Sequence, residues 1–428
     1  MTFVYALVPL VLAQLIFAYG VSMVLAWSRR ATYELGFGPF PVTISINFFL
    51  VFKPEWFHWQ FVIVALGFAA KEFIRWEKNG RSAHIFNPSS FPLAVFSLVL
   101  ILTGTTDTTI GVEIAQTLFN PPHMHAVIFL LSLVPQILFG VTTMTMAAVF
   151  TTYAVGLLYF TATGTYFFID AYIPIAVFLG MHLLFTDPST SPRSASGRIL
   201  FGISYGLGTM ALVVILRAVD APLFYDKLLP IPILNLMVLG IDRAAASGKL
   251  RLLDVSKLGP VLSNKQRRLA AVGIWAVAFL VISGAGGVGD NHPGQYLPFW
   301  QEACEAGSAR ACDYVPVMQE NFCVKGSGWA CNELGIHLAV TERDSSIGEV
   351  AFRRGCRLEF PTACENADRM RAAAGGSLAS APPLLADLPI VLRGSKGLIL
   401  ERDPEALYAL ACERGWPGTC GARPTEPQ

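Results

Sequence analysis

The chain has 428 residues, of which 54% are hydrophobic and only 14% charged, and its mean hydropathy is +0.52. A soluble domain carries about 25% charged residues, so this composition excludes an ordinary water-soluble globule and places much of the chain in lipid. The net charge of +1 leaves no basic surplus for nucleic acid or another polyanion.

Residues 2–27 form an apolar stretch that lacks a basic leader and a small-residue cleavage site. It is long enough to span a bilayer, and we read it as a retained transmembrane helix ending at Ser28-Arg29-Arg30. A shorter apolar stretch follows at 36–52, then an interfacial aromatic group, Trp56, Phe57, His58 and Trp59. The next helix runs to about Trp76 and emerges into a basic loop with Lys71, Arg75, Lys78 and Arg81. HIFNPSS then leads into a half-length apolar segment, 90–104, which ends at the polar run Thr103–Thr109. Residues 123–161 hold two spans broken near Phe139-Gly140.

The connector TATGTYFFIDAY precedes the span IPIAVFLGMHLLF, which carries His182. His182 is expected to bond a neighbouring helix, and Asp170 to be a solvated loop charge. The loop FTDPSTSPRSASGR comes next, with Pro188 and Pro192 as helix stops. A helix over 199–218, the turn DAPLFYDK and a return span ending at Asp242 follow. Residues 243–268 are polar and basic, and the last span covers about 269–288.

The positive-inside rule assigns the basic loops at 29–30, 71–81, 193–198 and 243–268 to the cytoplasm. About ten spans then satisfy the alternation, with both chain ends outside. The expected organisation is a membrane domain over 1–243, a basic cytoplasmic loop over 244–268, a last transmembrane helix over 269–288 and a tail over 289–428. The fold class is all-α: a polytopic helical bundle followed by an αα-hairpin repeat domain. The expected location is a bacterial inner membrane.

Two motifs in the membrane part are specific enough to compare. Thr186-Asp187-Pro188-Ser189-Thr190-Ser191 is followed by Gly197, Gly202, Tyr205, Gly206 and Arg217, then by Leu234-Asn235-Leu236 and Asp242. About a hundred residues earlier stands HIFNPSSFPLAV, His84 to Val95. This pattern resembles the D-type membrane subunit of Rnf electron-transport complexes and the B-type membrane subunit of the sodium-pumping NADH:quinone oxidoreductase, over roughly residues 60–243. The resemblance implies a flavin-binding membrane core that works with other membrane electron-transfer subunits. In that family FMN is joined through its phosphate to a Thr in D-x-x-[ST]-G-A-T. The nearest run here, Thr103-Gly104-Thr105-Thr106, lacks the Ala and the upstream Asp, which leaves Thr106 as the one candidate attachment point.

A dissociable flavin (FMN or riboflavin) or a quinone would be held by the two loops, through His84, Asn87, Pro88, Asp187 and Thr190. The bland reading of each loop is a cap: Asn87 at the start of the next helix with Pro88 in its first turn, and Asp187 closing a proline-bounded loop. Two other functions stay open, a flavin-free transporter with broken helices and a membrane anchor that displays the tail. No phosphate-binding loop, zinc-protease motif or hydrolase triad is present.

All eight cysteines lie after residue 300, in four C-x7-C pairs: Cys304/Cys312, Cys323/Cys331, Cys356/Cys364 and Cys412/Cys420. Three pairs have Gly three residues after the first Cys, at Gly307, Gly326 and Gly415. Three have Ala before the second, at Ala311, Ala330 and Ala363. The repeat resembles the Cys-containing variant of Sel1-like repeats, αα-hairpins in which each pair forms a disulfide. Within one helix the sulfurs would stand about 12 Å apart, too far to bond, so a turn inside each x7 run is needed. Zinc is the alternative, although no C-x2-C occurs and His337 is the single His after His292. Disulfides imply an oxidising compartment, so the tail is expected to be periplasmic and to bind a periplasmic protein. The first two pairs start 19 residues apart, short for a full αα unit.

Overall fold

The computed structural model describes residues 2–29, 35–78, 80–111, 124–169, 171–247, 263–284, 292–295, 297–340, 345–373 and 403–413. The chain divides into two compact units, Met1–Gly156 with Tyr172–Asp290, and Leu157–Ala171 with Asn291–Gln428.

The first unit contains α1 (Thr2–Arg29), α2 (Pro39–Phe49), α3 (His58–Phe73), α4 (Ser90–Thr103) and α5 (Met124–Phe139). After these come most of α6 (Thr142–Thr163), then α7 (Ile175–Leu179), α8 (Ala195–Ala218), α9 (Pro230–Ala246) and α10 (Asn264–Gly284). Among the described residues, five stretches are long and apolar enough to cross a membrane: Leu7–Arg29, Thr142–Thr163, Ala195–Ala218, Leu223–Ala246 and Lys265–Gly284. Four shorter apolar helices accompany them, Pro39–Phe49, Ser90–Thr103, Met124–Phe139 and Ile175–Leu184. The half-length segments expected at 36–52 and 90–104 are therefore present as short helices. The windows in α1 and α10 are only 11% buried, and Leu12, Ile16, Ile274 and Leu280 are exposed along them. Such continuous apolar surface requires an apolar environment, as the low charge content implied.

One segment departs from the all-α expectation. Residues 75–84 form a hairpin rather than a loop: β1 (Arg75–Lys78) pairs antiparallel with β2 (Arg81–His84), with Arg75 opposite His84. Gly80 has φ +70, and Asn79-Gly80 is the dipeptide that tight hairpin turns favour. The Arg75 guanidinium fastens the hairpin, with Nε 2.9 Å from Ser82 Oγ and Nη2 3.0 Å from the Ser82 carbonyl.

Short helices leave backbone groups that lipid cannot satisfy, and amides supply the partners. Gln60 is fully buried. Its Nε2 donates to the Leu50 carbonyl at 2.8 Å, and its Oε1 accepts from the Phe52 amide at 3.2 Å. Asn47 Nδ2 donates to Gln14 Oε1 at 2.7 Å, and Gln60 Nε2 reaches Asn47 Oδ1 at 3.3 Å. The chain beyond α2 then pairs with the chain beyond α4: Phe52 bridges Thr109, and the Lys53 amide donates to the Thr108 carbonyl at 2.8 Å.

The α6 and α8 backbones approach so closely that only glycine fits between them. A Cβ on Gly202 would stand 2.2 Å from the Met144 carbonyl oxygen, and one on Gly206 would stand 2.9 Å from that of Ala148.

The second unit comprises Leu157–Ala171 and Asn291–Gln428, and among its described residues after 291 there are six α-helices: α11 (Leu297–Glu305), α12 (Ala309–Val324), α13 (Gly328–Val340), α14 (Ser345–Arg357), α15 (Pro361–Ala373) and α16 (Pro404–Glu413). Disulfides join Cys304–Cys312, Cys323–Cys331 and Cys356–Cys364 with Cα separations of 4.6, 4.6 and 4.5 Å. Each lies across the turn between two consecutive helices, as the C-x7-C spacing required. Cys420 lies outside the described residues, so the fourth pairing remains an expectation.

The short interval between the first two pairs has a simple origin. Cys312 begins α12 and Cys323 ends it. The two disulfides therefore staple successive joints of one three-helix run, and no helix is truncated. At the joints Gly307 and Gly326 adopt φ +93 and +103. In the third joint Glu359 occupies the corresponding place with φ +62.

The core of this unit is built on Trp300, Trp329, Phe352 and Phe360, all essentially inaccessible. Asn332 and Asn366 share a buried 2.8 Å hydrogen bond. Arg310 Nη1 donates to the Tyr159 hydroxyl and Nη2 to the Phe167 carbonyl, both at 2.7 Å, so residues 157–171 are an integral part of the unit.

Three substitutions test this architecture. Gly202→Val should lower the melting temperature in detergent, by about 1–3 kcal/mol of stability, whereas Gly156→Ala, with nothing within 4 Å, should not. Glu359→Gly should raise it, since a left-handed non-glycine residue costs about 1–2 kcal/mol and glycine forfeits about 0.5–1 of that.

Candidate functional site

The two sequence motifs meet. HIFNPSS joins β2 to α4, and TDPSTS joins the end of α7 to α8. The α7 helix first widens into a π-helical turn, Gly180–Leu184. Asn87 is 4% exposed and connects both loops. Its Nδ2 donates to the Leu184 carbonyl at 2.8 Å, and its amide donates to Asn235 Oδ1 at 3.1 Å. Asn235, from α9, donates through Nδ2 to the Thr190 carbonyl at 3.1 Å. Three segments distant in sequence are thus held by two buried side-chain amides.

The expected cap is also present. Asn87 Oδ1 accepts from the Ser89 amide at 2.9 Å and the Ser90 amide at 3.2 Å, at the start of α4. Pro88 stands just before the N-cap residue Ser89 rather than in the first turn of α4, which begins at Ser90. The capping and linking roles are complementary, because one uses Oδ1 and the other Nδ2 and the main chain. Gly67 of α3 permits this packing: a Cβ there would stand 2.2 Å from the Pro88 carbonyl oxygen.

The second contact between the loops is polar and closer to solvent. Asp187 Oδ1 accepts from the Ser189 amide at 3.0 Å and from Ser189 Oγ at 2.5 Å, and Oδ2 accepts from Thr190 Oγ1 at 3.1 Å. His84 Nε2 lies 3.2 Å from Ser189 Oγ and 3.6 Å from Asp187 Oδ2. The single Ser189 hydroxyl proton is engaged by Asp187, so the hydrogen between His84 and Ser189 belongs to His84 Nε2. Burial alone would raise the Asp187 carboxyl. The hydrogen bonds from His84 and Ser189, with the electrostatic pull of His84, outweigh it and hold the carboxyl below its usual value.

A cavity of about 450 Å³ opens between these loops and α2. Its walls are mostly apolar, with Phe40, Phe48 and Phe139 among them, and its polar groups include Lys71, His84, Asn87 and Ser189. That size and character suit a small organic ligand. Of the residues expected to bind a ligand, His84, Asn87, Pro88 and Asp187 line it. Thr190 is 2% exposed and braces Asp187 from behind. Thr106 lies elsewhere: it opens the 3-10 turn after α4, at the far end of that helix from Asn87. His182 hydrogen-bonds its own helix, with Nδ1 2.7 Å from the Phe178 carbonyl, and meets a neighbouring helix only by stacking on Trp275 of α10, with ring centres 5.9 Å apart. Asp170 lies outside the described residues.

Ser189, noted only as part of its motif, Lys71, expected in a basic loop but found in the last turn of α3, and the phenylalanines of α2 were not singled out as ligand contacts in the sequence. Asn235 stood in the α9 motif, but nothing local marked it as a bridge. A buried amide within an apolar span was the available signal. Among the described residues no cluster of His, Cys, Asp or Glu is arranged to hold a metal.

The helices and the cavity define a membrane-type helical protein with a ligand-sized cavity formed by two loops. No family model matches the chain, and neither a curated protein nor a solved structure matches it.

The Asp187 carboxyl titrates below its unfolded value, so its ionised form stabilises the fold at neutral pH. That contribution fades as the pH falls through the folded value. Asp187→Asn should therefore melt below the wild type at neutral pH, and the difference should close in acid below about pH 4.

Proposed function

We propose that the first unit is the membrane component of a redox system, which holds a flavin or quinone without covalent attachment between HIFNPSS and TDPSTS. One observation supports this most directly. The two loops that carry the resemblance to the D-type Rnf protein, about a hundred residues apart, form walls of a single cavity. The apolar walls suit a planar ring. Lys71, His84, Asn87 and Ser189 offer hydrogen bonds to ring carbonyls and nitrogens. Thr106, remote from the cavity, has no part in this mode of binding. Electrons would pass to and from partner subunits in the same membrane.

In this reading the cavity faces the bacterial cytoplasm and the tail lies in the periplasm. Arg198 Nη1 donates to the Gly140 carbonyl at 2.6 Å, Arg268 Nη1 to the Leu138 carbonyl at 3.0 Å, and the Arg193 amide to Asp242 Oδ1 at 3.1 Å. Segments assigned to one side by their charge are thus neighbours. The connector TATGTYFFIDAY falls on the other side by the alternation of spans, and its residues up to Ala171 belong to the same compact unit as the cysteine tail. Three disulfides are consistent with an oxidising compartment. The tail would serve as a docking module for a periplasmic protein.

A flavin-free transporter is the second reading. Its support is the half-length pair α2 and α4, whose following segments bridge at Phe52 and Thr109, as broken helices do in transporters.

Purified protein should show a flavin absorption spectrum or a quinone-dependent redox response, and acid should extract the ligand intact. Asn87→Ala should reduce ligand occupancy by about tenfold, a loss of about 1.4 kcal/mol, while Thr106→Ala should leave it unchanged. Colourless protein without a quinone response would overturn the redox reading. Solute movement in liposomes without an electron donor would favour the second.

A further inference from the structure

Two arginines from different helices converge on the end of a third. Arg198 lies in the first turn of α8 and Arg268 near the start of α10. Between them α5 ends at Phe139, and Gly140 turns the chain with φ +64. Arg198 Nη1 donates to the Gly140 carbonyl at 2.6 Å, and its Nε donates to the Pro192 carbonyl at 3.0 Å. Arg268 Nη1 donates to the Leu138 carbonyl at 3.0 Å. A Cβ on Gly140 would stand 2.8 Å from Arg268 Nε, so the second guanidinium lies against the residue that the first one binds.

A cap for α5 explains only part of this. Cations suit a helix C-terminus, but its pole amounts to about half a charge, and one guanidinium would meet that need. Here there are two. The charge of Arg268 acts on Arg198, as does that of Asp242. Asp242 is a single carboxylate, and it already accepts from the Arg193 amide at 3.1 Å. Among the described residues neither arginine is in an ion pair. Arg198, moreover, is half-buried. Two like charges are thus held side by side on neutral carbonyls. A guanidinium has five N–H donors, of which Arg198 gives two to carbonyls and Arg268 one. The remaining donors suit a phosphate, whose oxygens guanidinium forks bind in pairs.

The level of the pair identifies where that phosphate comes from. Along α10 the exposed side chains pass from Lys265, Arg267 and Arg268 to Leu269, Ile274 and Val277. Beside it α5 runs the opposite way, with Phe129 stacked on Phe279 at 4.2 Å. Its exposed side chains are Leu130, Val134 and Leu138, up to the residue that Arg268 binds. Both helices therefore change from apolar to polar surface at the arginine pair. In a bilayer this is the boundary between acyl chains and headgroups, and basic pockets between helices at that boundary bind anionic headgroups. A soluble anion would meet the arginines alone. A lipid also covers the aliphatic flanks beneath them.

We propose that Arg198 and Arg268 bind the phosphate of an anionic phospholipid, whose acyl chains lie along the exposed flanks of α5 and α10. The phosphodiester oxygens accept from the remaining N–H groups of both guanidiniums and offset their repulsion. A zwitterionic headgroup brings a cation of its own to the pair and binds less well. The bound lipid in turn holds the starts of α8 and α10 to the end of α5. The site rests on the bilayer setting of these helices and not on what fills the cavity, so it stands apart from the redox reading.

Native mass spectrometry of the full chain in detergent tests this, with titration by phosphatidylglycerol or by phosphatidylcholine of the same acyl chains. The wild type should retain one phosphatidylglycerol with an affinity about tenfold above that for phosphatidylcholine. Arg268→Gln, at an exposed position, should remove most of that preference. Arg29→Gln, which deletes the same charge from the end of α1, should leave it unchanged. Glycerophosphoglycerol, the same headgroup without chains, should not displace the lipid at millimolar concentration. Equal retention of the two lipids, or an equal loss in Arg29→Gln, would mean general charge attraction at most. Displacement by glycerophosphoglycerol would mean a site for soluble anions. Each of these results overturns the proposal. The lipid comparison uses the unmodified chain, so it does not depend on a variant folding, and it needs no flavin or quinone.

Discussion

Irregular backbone inside an apolar bundle has no water to bond, and the first unit is organised around meeting that requirement. Side-chain amides provide the partners. Gln60 takes the amide and carbonyl left open after α2, Asn47 and Gln14 orient Gln60, and Asn87 with Asn235 does the same where α4, α7 and α9 converge. An amide suits the task because it donates and accepts at once without the desolvation cost of a charge. The bundle can therefore include half-length helices and loops among its spans, and the cavity exists because those loops are fixed in place.

The second unit solves a different problem. Its helices are short, and several are strongly polar on one face, so covalent staples hold consecutive helices across their turns. The repeat is a repeat of joints rather than of helix pairs, which is why α12 carries two cysteines from different disulfides. The aromatic core around Trp300 and Trp329 extends to residues 157–171 through Arg310, so this unit is completed by a stretch that lies far upstream in the chain.

Polar groups in the first unit sort by what they fasten. Asn87, Asn235 and Gln60 join separate elements, and their burial is explained by those joints. His84, Ser189 and Asp187 also join two loops while facing the cavity, where they remain able to meet a ligand.

The sequence alone determined the class of molecule, because apolar stretches of fixed length and sparse charge have few places to go other than a membrane. It also required a turn inside each C-x7-C run if the two sulfurs were to bond; the disulfide pairing itself was implied by the resemblance to Sel1-like repeats and is present in three of the four pairs. The hairpin at 75–84 was also within reach, through Asn79-Gly80, but a basic, short segment between apolar runs carries too little periodicity to stand out. What only the tertiary structure decided was the meeting of HIFNPSS with TDPSTS, the bridging role of Asn235, the separation of Thr106 from both, and the convergence of Arg198 and Arg268 on the end of α5. None of these leaves a local pattern, because side-chain amides and charges obey no helical or strand period, and which backbone group they satisfy depends on elements a hundred residues away.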